Sequence, residues 1–232
     1  MPEGIWSGTL TFGIVSIPVR VLSAVRSRRS SFHLIHRDDM SRVRRRYYCP
    51  RDEEFVDPEE IVRGHEVEDG KYVIIEDEEI ESIAPERSST IEITEFVDLS
   101  GIGPEYYDRP YYLFPTGAEK PYGLLADILE KEGRAGIAEF VMQAREHLCS
   151  IESVGGVLCL FRLRYPEQLR PAGDIAEGAR AKPDLVDGMK SAIKKESRGF
   201  DPGKLKDEYQ ERVDRLIRKK KRSGEVTDVY EG

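Results

Sequence analysis

Eight arginines stand between Arg26 and Arg46, at positions 26, 28, 29, 37, 42, 44, 45 and 46, against two acids, Asp38 and Asp39. A guanidinium presents its donors in a planar fork that matches phosphate oxygens, so such a run is suited to gripping a polyanion. The next stretch, residues 52–108, reverses the sign, with twenty Asp and Glu against Arg63, Lys71 and Arg87. The whole chain carries a formal net charge of −8, which makes the arginine segment a local exception. Segregation of this kind lets one surface attract polyanions while the rest repels them. The alternative is an arginine-rich hairpin whose charges are simply solvated.

Other residues invite metal or catalytic chemistry. His33-x-x-His36, with Cys49 and His65 nearby and acids such as Asp38 beside it, suggests a metal-dependent nuclease or hydrolase. In a strand, however, positions i and i+3 face opposite ways, so the two histidines would chelate together only on a helix. Cys49-Pro50-Arg51-Asp52 lacks the second thiol of a zinc knuckle. No H-E-x-x-H, G-x-S-x-G or phosphate-binding glycine loop is present. The expectation is a protein without catalytic residues, bound metal or cofactor. Tyr106-Tyr107-Asp108-Arg109-Pro110-Tyr111-Tyr112 offers rings for stacking on bases, but a tyrosine cluster around a proline reads better as a packed strand entry. Arg218-Lys219-Lys220-Lys221-Arg222 suits a helix C-terminus, where the macrodipole favours cations, and residues 190–222 carry thirteen basic against six acidic side chains. Asparagine, a usual bidentate reader of adenine, is absent, which argues against sequence-specific duplex reading.

The elements that must position these residues are mostly strands. Ile5–Thr11, Ile14–Ala24, Thr90–Leu99, Tyr111–Phe114, Ala135–Gln143 and Val157–Tyr165 are β-branched, apolar or alternating. Ser31–His36 and Arg42–Tyr48 read as hairpin arms around Asp38-Asp39-Met40-Ser41. So many short strands predict a mostly antiparallel barrel or sandwich. Asp57-Pro58-Glu59-Glu60 predicts a short helix to about Gly64, and Lys120–Glu132 predicts a helix with Gly133 at its C-cap. Residues 171–183 read as an Ala/Gly/Pro-rich linker, followed by helices at about 184–196 and 202–222. These two carry narrow apolar stripes that must dock elsewhere. Three scattered cysteines, no apparent signal peptide and no apolar run of about 18 residues predict a reduced, cytoplasmic protein with no membrane segment.

Ile5-Trp6-Ser7-Gly8-Thr9-Leu10-Thr11-Phe12-Gly13-Ile14-Val15-Ser16-Ile17-Pro18-Val19 resembles the opening strand pair of the prokaryotic Ku family, homodimeric proteins that bind DNA ends in non-homologous end joining. The likeness continues in order through Phe32–Arg37, Asp57–Gly64, Asp69–Val73, Thr90–Ile93, Arg109–Leu113, Arg145–Leu148, Phe200–Pro202 and Asp207–Tyr209. Two departures stand out. Some relatives carry a second cysteine just after the position of Cys49, where Arg51 and Asp52 stand here. Some also continue into a longer, often basic tail used for ligase contact or DNA threading, where this sequence stops at Gly232.

The resemblance implies a mostly β fold with added helices: an antiparallel β-barrel core, a long β-hairpin-like bridging insertion and a C-terminal helical arm that embraces a partner. Residues 1–170 would form the core, about 36–67 the insertion and 184–232 the arm. Two strands of ~12–15 residues at ~3.3 Å each would reach ~40–50 Å, enough to pass over a duplex. The implied partners are double-stranded DNA ends, a second copy of the chain and a multifunctional ATP-dependent DNA ligase of the ligase D type. The expected DNA-contact set is Arg20, Arg26, Arg28, Arg29, Arg37, Arg42, Arg44, Arg45, Arg46, Arg51 and Arg63, through the backbone and without base readout. A barrel that binds nucleic acid without end preference is the alternative.

Overall fold

A computed structural model describes residues 4–26, 28–85, 88–171 and 183–230. The chain divides into two compact units, Met1–Arg26 with Tyr47–Arg170, and Ser27–Arg46 with Pro171–Gly232.

The first unit is built on period-two alternation. Trp6–Phe12 (β1) and Val15–Ser23 (β2) form an antiparallel pair, and Ile17, Val19 and Val21 all turn inward from β2. Thr90–Asp98 (β7), Tyr107–Pro115 (β8), Arg134–Met142 (β9), Arg145–Val154 (β10) and Val157–Leu163 (β11) complete the wall. Among the described residues these seven strands close a barrel in the order β1-β2-β8-β11-β10-β9-β7. Every pairing is antiparallel except the seam, where β1 runs parallel to β7 with Leu10 beside Ile91. Closure removes the exposed edges that would otherwise recruit other strands. Leu10, Ile17, Ile91, Leu113, Phe140, Ile151, Leu158 and Leu160 fill the interior, each stabilising the fold by about 2 kcal/mol relative to exposure.

Two glycines are required by geometry. A Cβ on Gly8 would lie 2.0 Å from the Ser89 carbonyl oxygen and 2.3 Å from the Trp6 ring, so only glycine lets β1 pass here. Glu119–Glu132 (α2) ends at Gly133, whose φ of 61° is left-handed and whose N–H bonds to Leu129 O, the predicted C-cap. The helix lays Tyr122, Leu125, Ala126 and Leu129 against the barrel.

Between β2 and β7 the first unit also carries Tyr47–Cys49 (β3) paired with Glu54–Val56 (β4), Arg63–Glu68 (β5) paired with Lys71–Ile75 (β6), and a short helix, Asp77–Ser82 (α1). The strands expected to run ~12–15 residues are therefore three to six residues long. None of their residues is buried, and strands with no face to cover do not extend far. Of the arm expected at Arg42–Tyr48, only Tyr47 and Tyr48 lie in a strand; adjacent arginines at 44–46 give no apolar alternation. The helix expected from Asp57 is a single turn, Pro58–Glu60, with its capping box intact, because β-branched Ile61 and Val62 lead into β5.

In the second unit Pro183–Glu196 (α3) and Glu208–Arg222 (α4) are helical. The expected single start at Pro202 is instead a turn, Pro202–Lys204, and α4 begins later, where the Asp207 side chain accepts from the Gln210 N–H. Gly203 after the proline explains the interruption. Residues 172–182 of the expected linker lie outside the described residues. No described helix is long and apolar enough to cross a membrane.

Candidate nucleic-acid interface

Residues 28–46 share the second unit with the two C-terminal helices. Ser31–His36 and Ser41–Arg42 run as an irregular hairpin, with Val43 N–H donating to Leu34 O at 2.9 Å and an antiparallel bridge between Ile35 and Arg42. The turn at Asp38–Ser41 falls where the sequence placed it. Met40 takes a left-handed φ of 57°, and Asp39 collects the Ser41 N–H at 2.9 Å, the Ser41 hydroxyl at 2.7 Å and His36 Nδ1 at 2.9 Å. These bonds, the Ser41 backbone first, hold the Asp39 carboxyl down at about 2.

Two anchors join this arginine strap to the C-terminal segment. At one end the Ser30 N–H donates to Gln210 Oε1 at 3.1 Å, while Gln210 Nε2 donates to Ser30 Oγ at 2.7 Å and to Asp214 Oδ1 at 2.8 Å. At the other, Arg42 N–H donates to Tyr230 O at 3.0 Å and Tyr230 N–H to Met40 O at 3.3 Å, so residues 41 and 230 pair as in a parallel sheet.

The strap holds seven of the eleven expected contact residues: Arg28, Arg29, Arg37, Arg42, Arg44, Arg45 and Arg46, all exposed. Among the described residues no side-chain hydrogen bond or ion pair engages Arg28, Arg29, Arg37, Arg45 or Arg46. The end of α4 adds a cationic groove of about 440 Å³ lined by Arg215, Arg218, Lys219, Arg222 and Ser223. The second unit carries 22 Lys and Arg against 15 Asp and Glu, the first 14 against 29. Clustered cations repel one another, and a polyanion relieves that repulsion.

The remaining four arginines sit in the first unit, in different settings. Arg20, half-buried on β2, lies with its guanidinium carbon 5.3 Å from the centre of the Phe114 ring. Arg63 pairs with Asp77 at 3.4 Å, and Arg26 and Arg51 are exposed, the latter in the β3–β4 turn. The histidines are engaged otherwise than a metal site needs. His33 Nδ1 lies 3.0 Å from the Arg42 guanidinium, and His36 faces Asp39. No group of three or more His, Cys, Asp and Glu among the described residues is placed to hold a metal ion. Cys49 Sγ instead donates to Asp52 at 3.1 Å.

Ser30, Gln210, Asp214 and Tyr230 escaped the sequence reading. Gln210 and Asp214 share one face of α4 by their i, i+4 spacing, the only local hint they offer. Nothing in either segment announces a partner 180 residues away.

A family model described as the Ku70/Ku80 beta-barrel domain matches residues 11–192, from within β1 to within α3. Over 221 residues the chain is 45% identical to non-homologous end joining protein Ku 1 of Geotalea uraniireducens, covering 94% of this chain and 84% of the relative. It is 35% identical over 228 residues to the non-homologous end joining protein Ku of Solibacter usitatus, covering 97% and 85%. The protein of that name from Anaeromyxobacter is 36% identical over 224 residues, covering 95% and 76%.

Proposed function

The chain belongs to the Ku family, and from that premise we propose that it binds double-stranded DNA ends, without regard to sequence, in double-strand break repair by non-homologous end joining. The observation that carries this reading is the division of charge. An exposed arginine strap and a cationic helix end share one unit, while the barrel unit is strongly acidic. Guanidinium groups gripping phosphates give affinity without base selection. If a dimer neutralises ~6–10 phosphates, binding falls about 10³–10⁵-fold between ~50 and ~200 mM salt.

The working form in this proposal is a ring-shaped homodimer. Its support is the uncovered apolar stripe on each C-terminal helix: Leu185, Met189 and Ile193 on α3, and Tyr209, Leu216 and Ile217 on α4. Stripes at helical spacing that stay exposed in one chain call for a second surface. The same reading places the protein with the nucleoid in the cytoplasm and has it recruit or stimulate an ATP-dependent DNA ligase of the ligase D type.

A closed ring loads only at an end. In a competition assay, linear duplex should displace a bound labelled duplex while the same duplex, covalently closed, should not. Equal competition by both forms overturns the ring and leaves a basic barrel protein without end preference.

A further inference from the structure

The arginines of the strap have little regular structure of their own to hold them. Residues 28–46 contain only isolated bridges, no strand of the named sheets and no helix. A segment with seven arginines and two acids gains little by burial, and each residue left free costs entropy when DNA orders it. Beyond the bonds of its own turn, what fixes the segment is side-chain and backbone bonding from the C-terminal region. Gln210 acts as a two-handed clamp, accepting the Ser30 N–H and donating to the Ser30 hydroxyl. Asp214, one turn on, accepts from Gln210 Nε2 at 2.8 Å and so orients the amide, and the Ser30 hydroxyl also approaches it, at 3.4 Å. All three groups are partly shielded from water, which strengthens each bond.

We propose that Gln210 and Asp214 are positioning residues for DNA binding, holding the arginine strap in its contact form through Ser30. The proposal rests on the reading that the strap arginines meet the phosphates. Its chemical consequence is unusual for a nucleic-acid interface. Asp214 is an acid in a basic unit, and electrostatics alone makes its removal strengthen DNA binding. As part of the clamp, its removal weakens binding, because only the fraction of molecules with an ordered strap is competent. The two effects have opposite signs.

The test uses the full chain with four variants: Gln210→Ala, Asp214→Ala, Asp214→Asn, and Arg44→Ala/Arg45→Ala/Arg46→Ala together. Binding of labelled linear duplex is read by anisotropy across a salt series, and strap order by the rate of trypsin cleavage within residues 28–46 in the absence of DNA. Alanine at 210 favours the helix, so α4 itself persists. Gln210→Ala and Asp214→Ala are expected to bind about tenfold more weakly if the ordered fraction falls to ~0.1, with an unchanged salt slope and faster cleavage in the strap. Asp214→Asn loses the same charge but keeps a carbonyl acceptor, and should restore both affinity and protection. Asp214→Ala binding as tightly as the parent, or more tightly, overturns the proposal. So does weaker binding with unaltered trypsin rates, because the effect then does not run through strap order. A triple arginine variant that binds like the parent overturns the contact reading and the proposal with it. That failure is told apart from a failed clamp by the trypsin rates, which need no DNA.

Discussion

The Tyr122 hydroxyl accepts the backbone N–H of Leu158 at 2.9 Å, joining α2 to β11. The same hydroxyl donates to Leu113 O on β8 at 2.8 Å, so one oxygen ties the helix to two neighbouring strands of the barrel. Burial pushes its ionisation upward, and it remains a neutral phenol able to play both roles.

Tyr122→Phe keeps the ring and removes that oxygen. It leaves the Leu158 N–H and the Leu113 carbonyl buried without this partner, at a cost of about 2 kcal/mol. For a chain of this size the melting temperature should fall by roughly 4–8 °C. DNA affinity of the folded fraction should be unchanged, because the tie lies wholly in the first unit. Calorimetry beside anisotropy checks both halves, and an unchanged melting temperature would show that the bonds are replaced.

The barrel was legible wherever alternation was clean. β2 announces itself through Ile17-Val19-Val21, one face in and one face out. β11 is less clean: the alternation of Val157, Cys159, Phe161 and Leu163 marks a strand, but Leu158 and Leu160 of the other face fill the core and Cys159 is buried too. β10 carries a run of four buried residues, Cys149 to Glu152, yet gives no clean alternation, because Ser150 and Glu152 interrupt its apolar pattern. The Ser150 hydroxyl donates to Glu152 at 2.6 Å, and such a buried polar pair has no signature in local sequence. The β5–β6 hairpin carried a signal in Asp69-Gly70, with Gly70 at a φ of 72°. At the candidate interface the arginines were legible from charge alone. The residues that hold them were not, since Ser30 and Gln210 meet only when the fold brings 180 residues of separation together.

Thiol chemistry reads the closure of the barrel directly. Cys149 is fully buried, its thiol pushed up by desolvation and by the charge of Glu139, and Cys159 is raised by burial and Glu152. Cys49 is partly exposed in the β3–β4 hairpin. The thiolate is the reactive form, so a disulfide reagent at neutral pH should titrate one thiol in the native protein and three after unfolding. Rapid reaction of all three in the native state would contradict a closed barrel.

The strap turn should be sensitive to acid. The Asp39 carboxyl, ordinarily near 3.8, is held at about 2 by the Ser41 N–H, the Ser41 hydroxyl and His36. The folded turn therefore binds this proton less readily than the unfolded chain does. Its contribution is fully present above pH ~4 and is lost as the pH falls from there through ~2. Hydrogen exchange at the Ser41 amide should accelerate over that window relative to barrel amides, and Asp39→Ala should show the faster rate at every pH. Exchange that does not respond to the substitution would mean that Met40 and its neighbours hold the turn unaided.

The arginines themselves are tested by salt rather than by affinity at one condition. Each phosphate contact contributes about 0.9 to the slope of log affinity against log salt. If Arg44, Arg45 and Arg46 each meet a phosphate, their joint replacement by alanine should lower the slope by roughly 2.7 per chain, and by the same amount on every sequence tried. Replacement by lysine should keep the slope, since the charges remain. It should still weaken binding, because a point charge cannot reproduce the two parallel bonds of a guanidinium fork. The arginines of the first unit make the comparison sharp. Arg63 already has Asp77 at 3.4 Å, and Arg20 packs over Phe114, so Arg63→Ala should barely move the slope, and Arg20→Ala should act on stability first. A sequence-dependent loss in the triple alanine variant would point to base contacts. A loss of affinity with the slope intact would mean that these three arginines shape the strap and other cations meet the DNA, of which Arg215, Arg218, Lys219 and Arg222 are the nearest in kind.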